Sequence, residues 1–361
     1  MRLDRQYAEI RSKILDQIDS ILSVGQVLQS HHILEIEEKV AKLHGVKYGV
    51  AVNSGTDALK ISFVASGIGY GAKILTTPLS FVASTGAILE VGASPIFLDV
   101  GNDMHVQQET YIAALDQFNP DGILLVHLFG GVYDYSELIV EAEKRGIPVF
   151  EDCAQAFGAI GKTRKIGENV RTACLSFDPM KVLSAYGSGG MILTNCELTY
   201  EQSRSLRYHG RGSSGAYETP GYNSQLASIQ AAILLEKLEY FDKWTQKRRK
   251  IAKQYNEAIE HNRMIAPIAQ VGKYHVFHKY VVSTDVKNRD KFRNKLNEMG
   301  IQTMIHYQHP LSKLKFLSNQ VSDDNFVNAE NITKQVFSLP IYAELSDEEV
   351  KFICDALKDL N

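Results

Sequence analysis

The chain has 361 residues, 44% of them hydrophobic and 22% charged, with a formal net charge of -3. That length holds a large buried core, as two domains or as one with a smaller appendage, and the near-neutral charge excludes the polycationic surface of a nucleic-acid binder. No apolar run reaches the length of a membrane span and no basic-then-apolar leader is present, so a cytoplasmic protein without membrane or nucleic-acid partners is expected.

Residues 4–44 read as two helices around a break at Gly25, with Ile10, Ile14, Ile18 and Ile21 at helical spacing. From residue 47 short apolar runs alternate with helical patterns. The runs are Tyr48–Val52, Lys73–Thr77, Pro95–Val100, Gly122–Val126, Pro148–Phe150, Ala173–Phe177 and Met191–Thr194. Between the first five lie helical segments at Asp57–Ser66, Ser84–Glu90, Glu109–Phe118 and Tyr135–Arg145. Runs without period-two alternation suit strands buried on both faces. The fold class is therefore α/β, three-layered, with a mostly parallel seven-stranded sheet, helices on both faces and a smaller α+β C-terminal domain.

Residues 208–223, rich in Gly, Ser, Tyr and Pro, lack periodicity and predict a long loop. One long helix is predicted from Ser224 to about Glu260, with Lys247-Arg248-Arg249-Lys250 on its solvated face. A strand at Tyr280–Ser283, a helix at Arg289–Met299, a strand at Gln302–Ile305 and a final helix from Ser346 follow. The boundary falls near residue 240, separating a large domain at 1–240 from a small one at 241–361.

Two segments carry chemistry together. In Leu175-Ser176-Phe177-Asp178-Pro179-Met180-Lys181 a lysine precedes Gly187-Ser188-Gly189-Gly190, and Phe150-Glu151-Asp152-Cys153-Ala154-Gln155 lies upstream after an apolar run. Each alone is commonplace, a loop lysine or a helix-capping Asp. Strand–Asp followed by strand–Ser–Lys–glycines looks like the two poles of a pyridoxal phosphate site. Lys181 would carry the cofactor as a Schiff base and Asp152 would keep its ring nitrogen protonated. Asn53-Ser54-Gly55-Thr56-Asp57 ends the first strand and opens a helix, which suits either an anion cradle or an ordinary N-cap. Phe81 could stack on a planar ring or fill the core, Gln155 is placed to share a ligand with Asp152, and Ser176 could offer a hydroxyl to a phosphate.

The four cysteines, Cys153, Cys174, Cys196 and Cys354, form no metal pattern and read as free thiols. His275 and His278 lie in an expected strand on opposite faces, with no carboxylate spaced to join them, and no metal is expected. The absence of GxGxxG after the first strand disfavours a nicotinamide enzyme. A non-catalytic binding or scaffold protein is disfavoured by the intact Asp152, Gln155, Ser176 and Lys181 set.

Read in order, Ser54-Gly55-Thr56 with Ala58-Leu59, Phe81-Val82-Ala83, Glu151-Asp152-Cys153-Ala154-Gln155, Ser176-Phe177 with Pro179 and Lys181, Gly189-Gly190, Tyr222-Asn223-Ser224, Gln230-Ala231-Ala232 and His306-Tyr307 run nearly end to end. This series resembles the nucleotide-sugar aminotransferases of the DegT/DnrJ/EryC1 family, of the aspartate aminotransferase superfamily, fold type I. The resemblance implies a pyridoxal 5'-phosphate enzyme, passing through pyridoxamine 5'-phosphate, with L-glutamate as donor and 2-oxoglutarate as product. Lys181 would be catalytic. Asp152 would pair with the ring nitrogen, Gln155 would bond the ring hydroxyl and Phe81 would cover the ring. Gly55, Thr56 and Ser176 would hold the phosphate, and Asn223 would reach it from the other subunit of a homodimer. His306 and Tyr307 match a substrate-side motif. The acceptor would be a dTDP- or UDP-linked keto-deoxysugar bound for a surface polysaccharide such as O-antigen or for another glycan.

Pro179-Met180-Lys181 resembles the Pro-x-Lys of relatives that aminate C3, so a 3-keto sugar is expected, with a 4-keto sugar as the alternative. A dehydratase or regulatory relative is the other alternative, disfavoured because dehydratase relatives replace the lysine by histidine. Two departures stand out: Ser188 where an acidic residue is common, and Gln225 where the cross-dimer loop often has arginine.

Overall fold

A computed structural model describes residues 2–260, 264–265, 272–317 and 326–360. Two helices open the chain, α1 (Leu3–Ser23) and α2 (His31–His44). There follow β1 (Tyr48–Val52), α3 (Gly55–Ala65), β2 (Lys73–Thr76), α4 (Val82–Glu90), β3 (Ser94–Phe97), α5 (Gln108–Phe118), β4 (Gly122–Val126), α6 (Ser136–Lys144) and β5 (Val149–Asp152). Then come β6 (Thr172–Ser176), β7 (Gly190–Thr194), α7 (Glu197–Leu206), α8 (Ser228–Leu238) and α9 (Phe241–Ile259). The last part holds β8 (Tyr280–Ser283), α10 (Val286–Glu298), α11 (Val327–Gln335), β9 (Val336–Leu339) and α12 (Asp347–Lys358).

The first seven strands form one sheet in the order β1-β7-β6-β5-β4-β2-β3. Pairing is parallel throughout except that β7 runs antiparallel to both neighbours, β1 and β6. Every residue of β4, β6 and β7 is buried. Side chains of β1, β6 and β7 alternate between two cores: Val50, Cys174 and Ile192 enter one, while Ala51, Ala173, Leu175, Met191 and Leu193 enter the other. A strand covered on both faces has no polar side to show, which is why these runs lack alternation. Each fully buried Leu or Ile contributes about 1.5–3 kcal/mol. A third cluster joins α9, β8, β9, α10 and α12 through residues such as Tyr255, Phe292, Phe337 and Leu357. A fourth packs Ile10 and Ile14 of α1 on Ile233, Trp244 and Ala343.

Several expectations change. The single helix expected over 224–260 is two, α8 and α9, broken at Glu239 and Tyr240. α8 packs on α1 and α2 whereas α9 packs on α12, so the chain turns between two supports. Arg248 faces inward, 2% exposed, and donates to the carbonyls of Phe277 and Ile341. The strand expected at Gln302–Ile305 is a single bridge, Met304 to Ser338, on the edge of β9 that does not face β8. The segment 208–223 folds back on itself through bridges Tyr208–Asn223 and Arg211–Tyr217. His275 and His278 lie outside any strand and both are buried. Among the described residues, no helix is long and apolar enough to cross a membrane.

Candidate active site

The antiparallel β7 begins where β1 and β6 end, with Gly190 registered against both Val52 and Ser176. One edge of the sheet therefore gathers the ends of β1, β5 and β6, the edge where open α/β sheets bind ligands. Ser54 caps α3, its hydroxyl accepting from the Asp57 N–H at 3.0 Å. The N–H groups of Gly55 and Thr56, in the first turn, have no intrahelical acceptor and sit at the positive end of the helix dipole. Two glycines permit this approach. A Cβ at Gly55 would lie 2.7 Å from Ser176 Cβ, and one at Gly190 would lie 2.3 Å from the Ser54 carbonyl oxygen. The Ser176 hydroxyl accepts only a long 3.4 Å contact from the Asp178 N–H, leaving its proton for an anion.

Asp152 closes β5 and is 6% exposed. Its Oδ1 accepts from the Ala154 N–H at 3.0 Å and its Oδ2 from the Ser84 hydroxyl at 2.6 Å. Ser84, in the first turn of α4, is bonded in turn to Ser80 at 2.7 Å. Neither partner carries charge, so the carboxylate retains its appetite for a cation. The preceding residue, Glu151, is also fully buried and takes its bonds elsewhere, from Arg164, from His127 at 2.8 Å and from the Gly167 N–H at 2.9 Å. His127, Glu151 and Cys153 bring ligand-type atoms within 4.8 Å of one another. With both Glu151 oxygens bonded and the Cys153 thiol pushed well up by burial, this cluster is a buttress of β5.

Gln155 is fixed at both ends: its Oε1 accepts from the Phe129 N–H at 2.9 Å and its Nε2 donates to the Tyr307 hydroxyl at 2.7 Å. One Nε2 hydrogen and the Tyr307 hydroxyl proton remain for a ligand. His306 holds Ser338 through Nδ1 at 2.7 Å; burial and the nearby lysines Lys279 and Lys181 bring its pKa down to about 4. Burial pushes the Tyr307 hydroxyl up, keeping it protonated. Lys181 lies in the turn after β6, and burial lowers its pKa, opposed by the charges of Asp152 and Asp178. Among the described residues, no group makes a hydrogen bond or ion pair with its amine. An amine without a partner whose pKa is lowered by burial is suited to act as a nucleophile and a proton carrier.

Phe81 stands at the N-cap of α4 with its ring 55% exposed at this edge. Asn223 is exposed and makes only a backbone bridge to Tyr208. Its neighbour Ser224 accepts from the Asn53 N–H at 3.2 Å and donates to Asp57 at 2.7 Å. Ser188 is exposed, and Gln225 accepts from Gln29 at 2.8 Å. Sequence reasoning missed Ser84 and Lys279. Ser84 had a signal, three residues after Phe81 in the first turn of a helix entering the same sheet edge.

The donor set fits pyridoxal phosphate. Amides and a hydroxyl meet its phosphate, a buried carboxylate its ring nitrogen, an amide N–H its ring hydroxyl, and an unpartnered buried amine its aldehyde. Fold and site together define a fold type I, pyridoxal phosphate-dependent aminotransferase. The chain belongs to the DegT/DnrJ/EryC1/StrS aminotransferase family, which it matches over residues 8–358. It is 32% identical to the UDP-2-acetamido-2-deoxy-3-oxo-D-glucuronate aminotransferase of Pseudomonas aeruginosa, covering 98% of each chain. It is 32% identical to a Geobacillus stearothermophilus protein named a pleiotropic regulatory protein, over 99% of this chain and 96% of that one. The crystal structure of Bacillus subtilis NtdA with bound cofactor PMP is similar at a TM-score of 0.90 and 25% identity, covering 97% of this chain and 81% of that one.

Proposed function

We propose that this enzyme moves an amino group from L-glutamate to the C3 keto carbon of a dTDP- or UDP-linked keto-deoxysugar, for a surface polysaccharide such as O-antigen or another glycan, and that it works as a homodimer. The observation that carries this reading is the unpartnered, buried amine of Lys181 facing the charge of Asp152. The choice of C3 leans on Pro179-Met180-Lys181 and on the 3-oxo sugar in the name of the Pseudomonas relative.

When bound, pyridoxal phosphate supplies an electron sink and carries the amino group between the two substrates. The chain's residues do the rest. Gly55, Thr56 and Ser176 grip the phosphate, Asp152 holds a proton on the ring nitrogen, and Gln155 donates to the ring hydroxyl. Phe81 covers one face of the ring. Lys181 anchors the cofactor and then, as a free amine, moves a proton at the reacting carbon. His306, neutral, and Tyr307, protonated, orient the sugar. In this reading residues 1–240 hold the cofactor and residues 241–361 bring the substrate-side groups.

Purified enzyme with L-glutamate, offered 3-keto and 4-keto sugar nucleotides and followed by mass spectrometry, should aminate the 3-keto sugar and release 2-oxoglutarate. Lys181→Ala should retain the cofactor without covalent attachment and form no product. Product from Lys181→Ala at the wild-type rate would end this reading. The name of the Geobacillus relative favours a regulatory role as the second reading, which predicts no product from any sugar.

A further inference from the structure

Beside the Lys181 turn lies a cleft of about 350 Å³, lined by Met180, Arg248, His278, Lys279, His306 and Ser338 among others. Its unpaired charge is positive, because the carboxylate in its lining, Glu349, is already paired with Arg5. Arg248 is spent on two backbone carbonyls. Among the described residues, no carboxylate lies within ion-pair distance of Arg248 or Lys279, and no hydrogen bond is made by the Lys279 amine. His278, 5% exposed, leaves its Nδ1 unbonded. Burial, together with the charges of Lys181 and Arg248, brings the Lys279 pKa down to about 8, and the Lys279 charge in turn helps keep His306 neutral. Asp178 is the anion felt there, and it is shared with Lys181.

A long side chain could turn its ammonium to water, yet this one is largely buried in the cleft beside the Lys181 turn. Uncompensated cations in such a place are a receptor waiting for an anion. We propose that Lys279 is a specificity-determining residue that receives a carboxylate of a reactant next to the reacting carbon. A carboxylate fits better than a larger anion because only one ammonium is free there and because an amino acid's own carboxylate is a single bond from the carbon that must meet Lys181. The two possible sources are the amino donor and a carboxylate on the sugar. Tyr307 and Gln155 offer only neutral donors, which leaves the charge of a carboxylate to Lys279.

The inference rests on the aminotransferase reading, so the test has one arm that needs no turnover. In holoenzyme, succinate affinity is measured by calorimetry for wild type, Lys279→Met and Lys279→Arg. Separately, the glutamate half-reaction and the half-reactions of keto sugars with and without a carboxylate are followed by absorbance. Succinate should bind Lys279→Met at least about tenfold more weakly, with affinity restored in Lys279→Arg. A matching rise in KM for glutamate alone identifies the donor as the source; a rise confined to the acidic sugar identifies the sugar. Thermal melting and cofactor absorbance check that each variant is folded. If succinate binding, glutamate KM and acidic-sugar KM are all unchanged in Lys279→Met, the inference is overturned. Wild type that binds succinate but runs neither half-reaction fails the aminotransferase reading instead.

Discussion

At the scale of single residues, the site works by leaving the right groups unsatisfied. Asp152 is bonded only to a neutral hydroxyl and a backbone amide, and Lys181 to nothing among the described residues, so each has its chemistry free for a ligand. Glu151, one position away, is saturated by Arg164, His127 and Gly167 and is silent for the same reason. Period-two geometry sends adjacent strand residues to opposite faces, which is how two neighbouring acids acquire opposite fates. Asp152→Asn preserves shape and the Ser84 contact but removes the charge that stabilises a protonated ring nitrogen. The cofactor should still bind, while turnover falls at least about 100-fold, roughly 2.7 kcal/mol of transition-state stabilisation. Cofactor content by absorbance and steady-state rates check both halves. A near-wild-type rate would move the role to another carboxylate.

At the scale of elements, the phosphate cradle depends on how closely α3 can start against β6 and β7. Gly190→Ala would place a methyl 2.3 Å from the Ser54 carbonyl oxygen and 2.7 Å from the Gly55 nitrogen, both backbone atoms that cannot swing aside. Relief requires α3 to shift. A loss of about 3 kcal/mol in stability by urea unfolding is expected, together with weaker cofactor binding, since the amides that move are those proposed to hold the phosphate. Unchanged cofactor affinity would separate the cradle from this contact. The seven strands of the sheet were legible in the sequence because apolar runs buried on both faces are conspicuous. The order of motifs along the chain also put Asp152 and Lys181 in one place, and the charge of Asp152 acts on the Lys181 amine. The break between α8 and α9 was not legible: apolar spacing stays helical across Glu239 and Tyr240, and only the change of packing partner turns the chain. β9 was hidden directly behind α11, with no turn residue between Gln335 and Val336 to separate them. Lys279 was hidden because the sequence cannot tell a buried, unpaired lysine from a solvated one.

At the scale of the whole molecule, the proposed homodimer gives Asn223 two possible places, its own chain's cofactor site or its partner's. The segment is tied to its own subunit at the next residue, since Ser224 bonds Asn53 and Asp57 beside the start of α3 and Gln225 bridges Val52. The Asn223 side chain is nonetheless exposed, as a residue that completes a neighbour's site must be. Asn223→Asp would set a carboxylate against the cofactor phosphate and should cripple binding by like-charge repulsion in either arrangement. Mixing it with Lys181→Ala, each inactive alone, distinguishes them. If Asn223 crosses to the partner, a hybrid dimer has one site with both lesions and one with neither. About half of randomly paired dimers are hybrids, each with one good site of two, so activity should return to about a quarter of wild type. If Asn223 serves its own chain, every hybrid site carries one lesion and the mixture stays dead. Subunit exchange, followed by native mass spectrometry of differently tagged chains, makes the silent result as decisive as the active one.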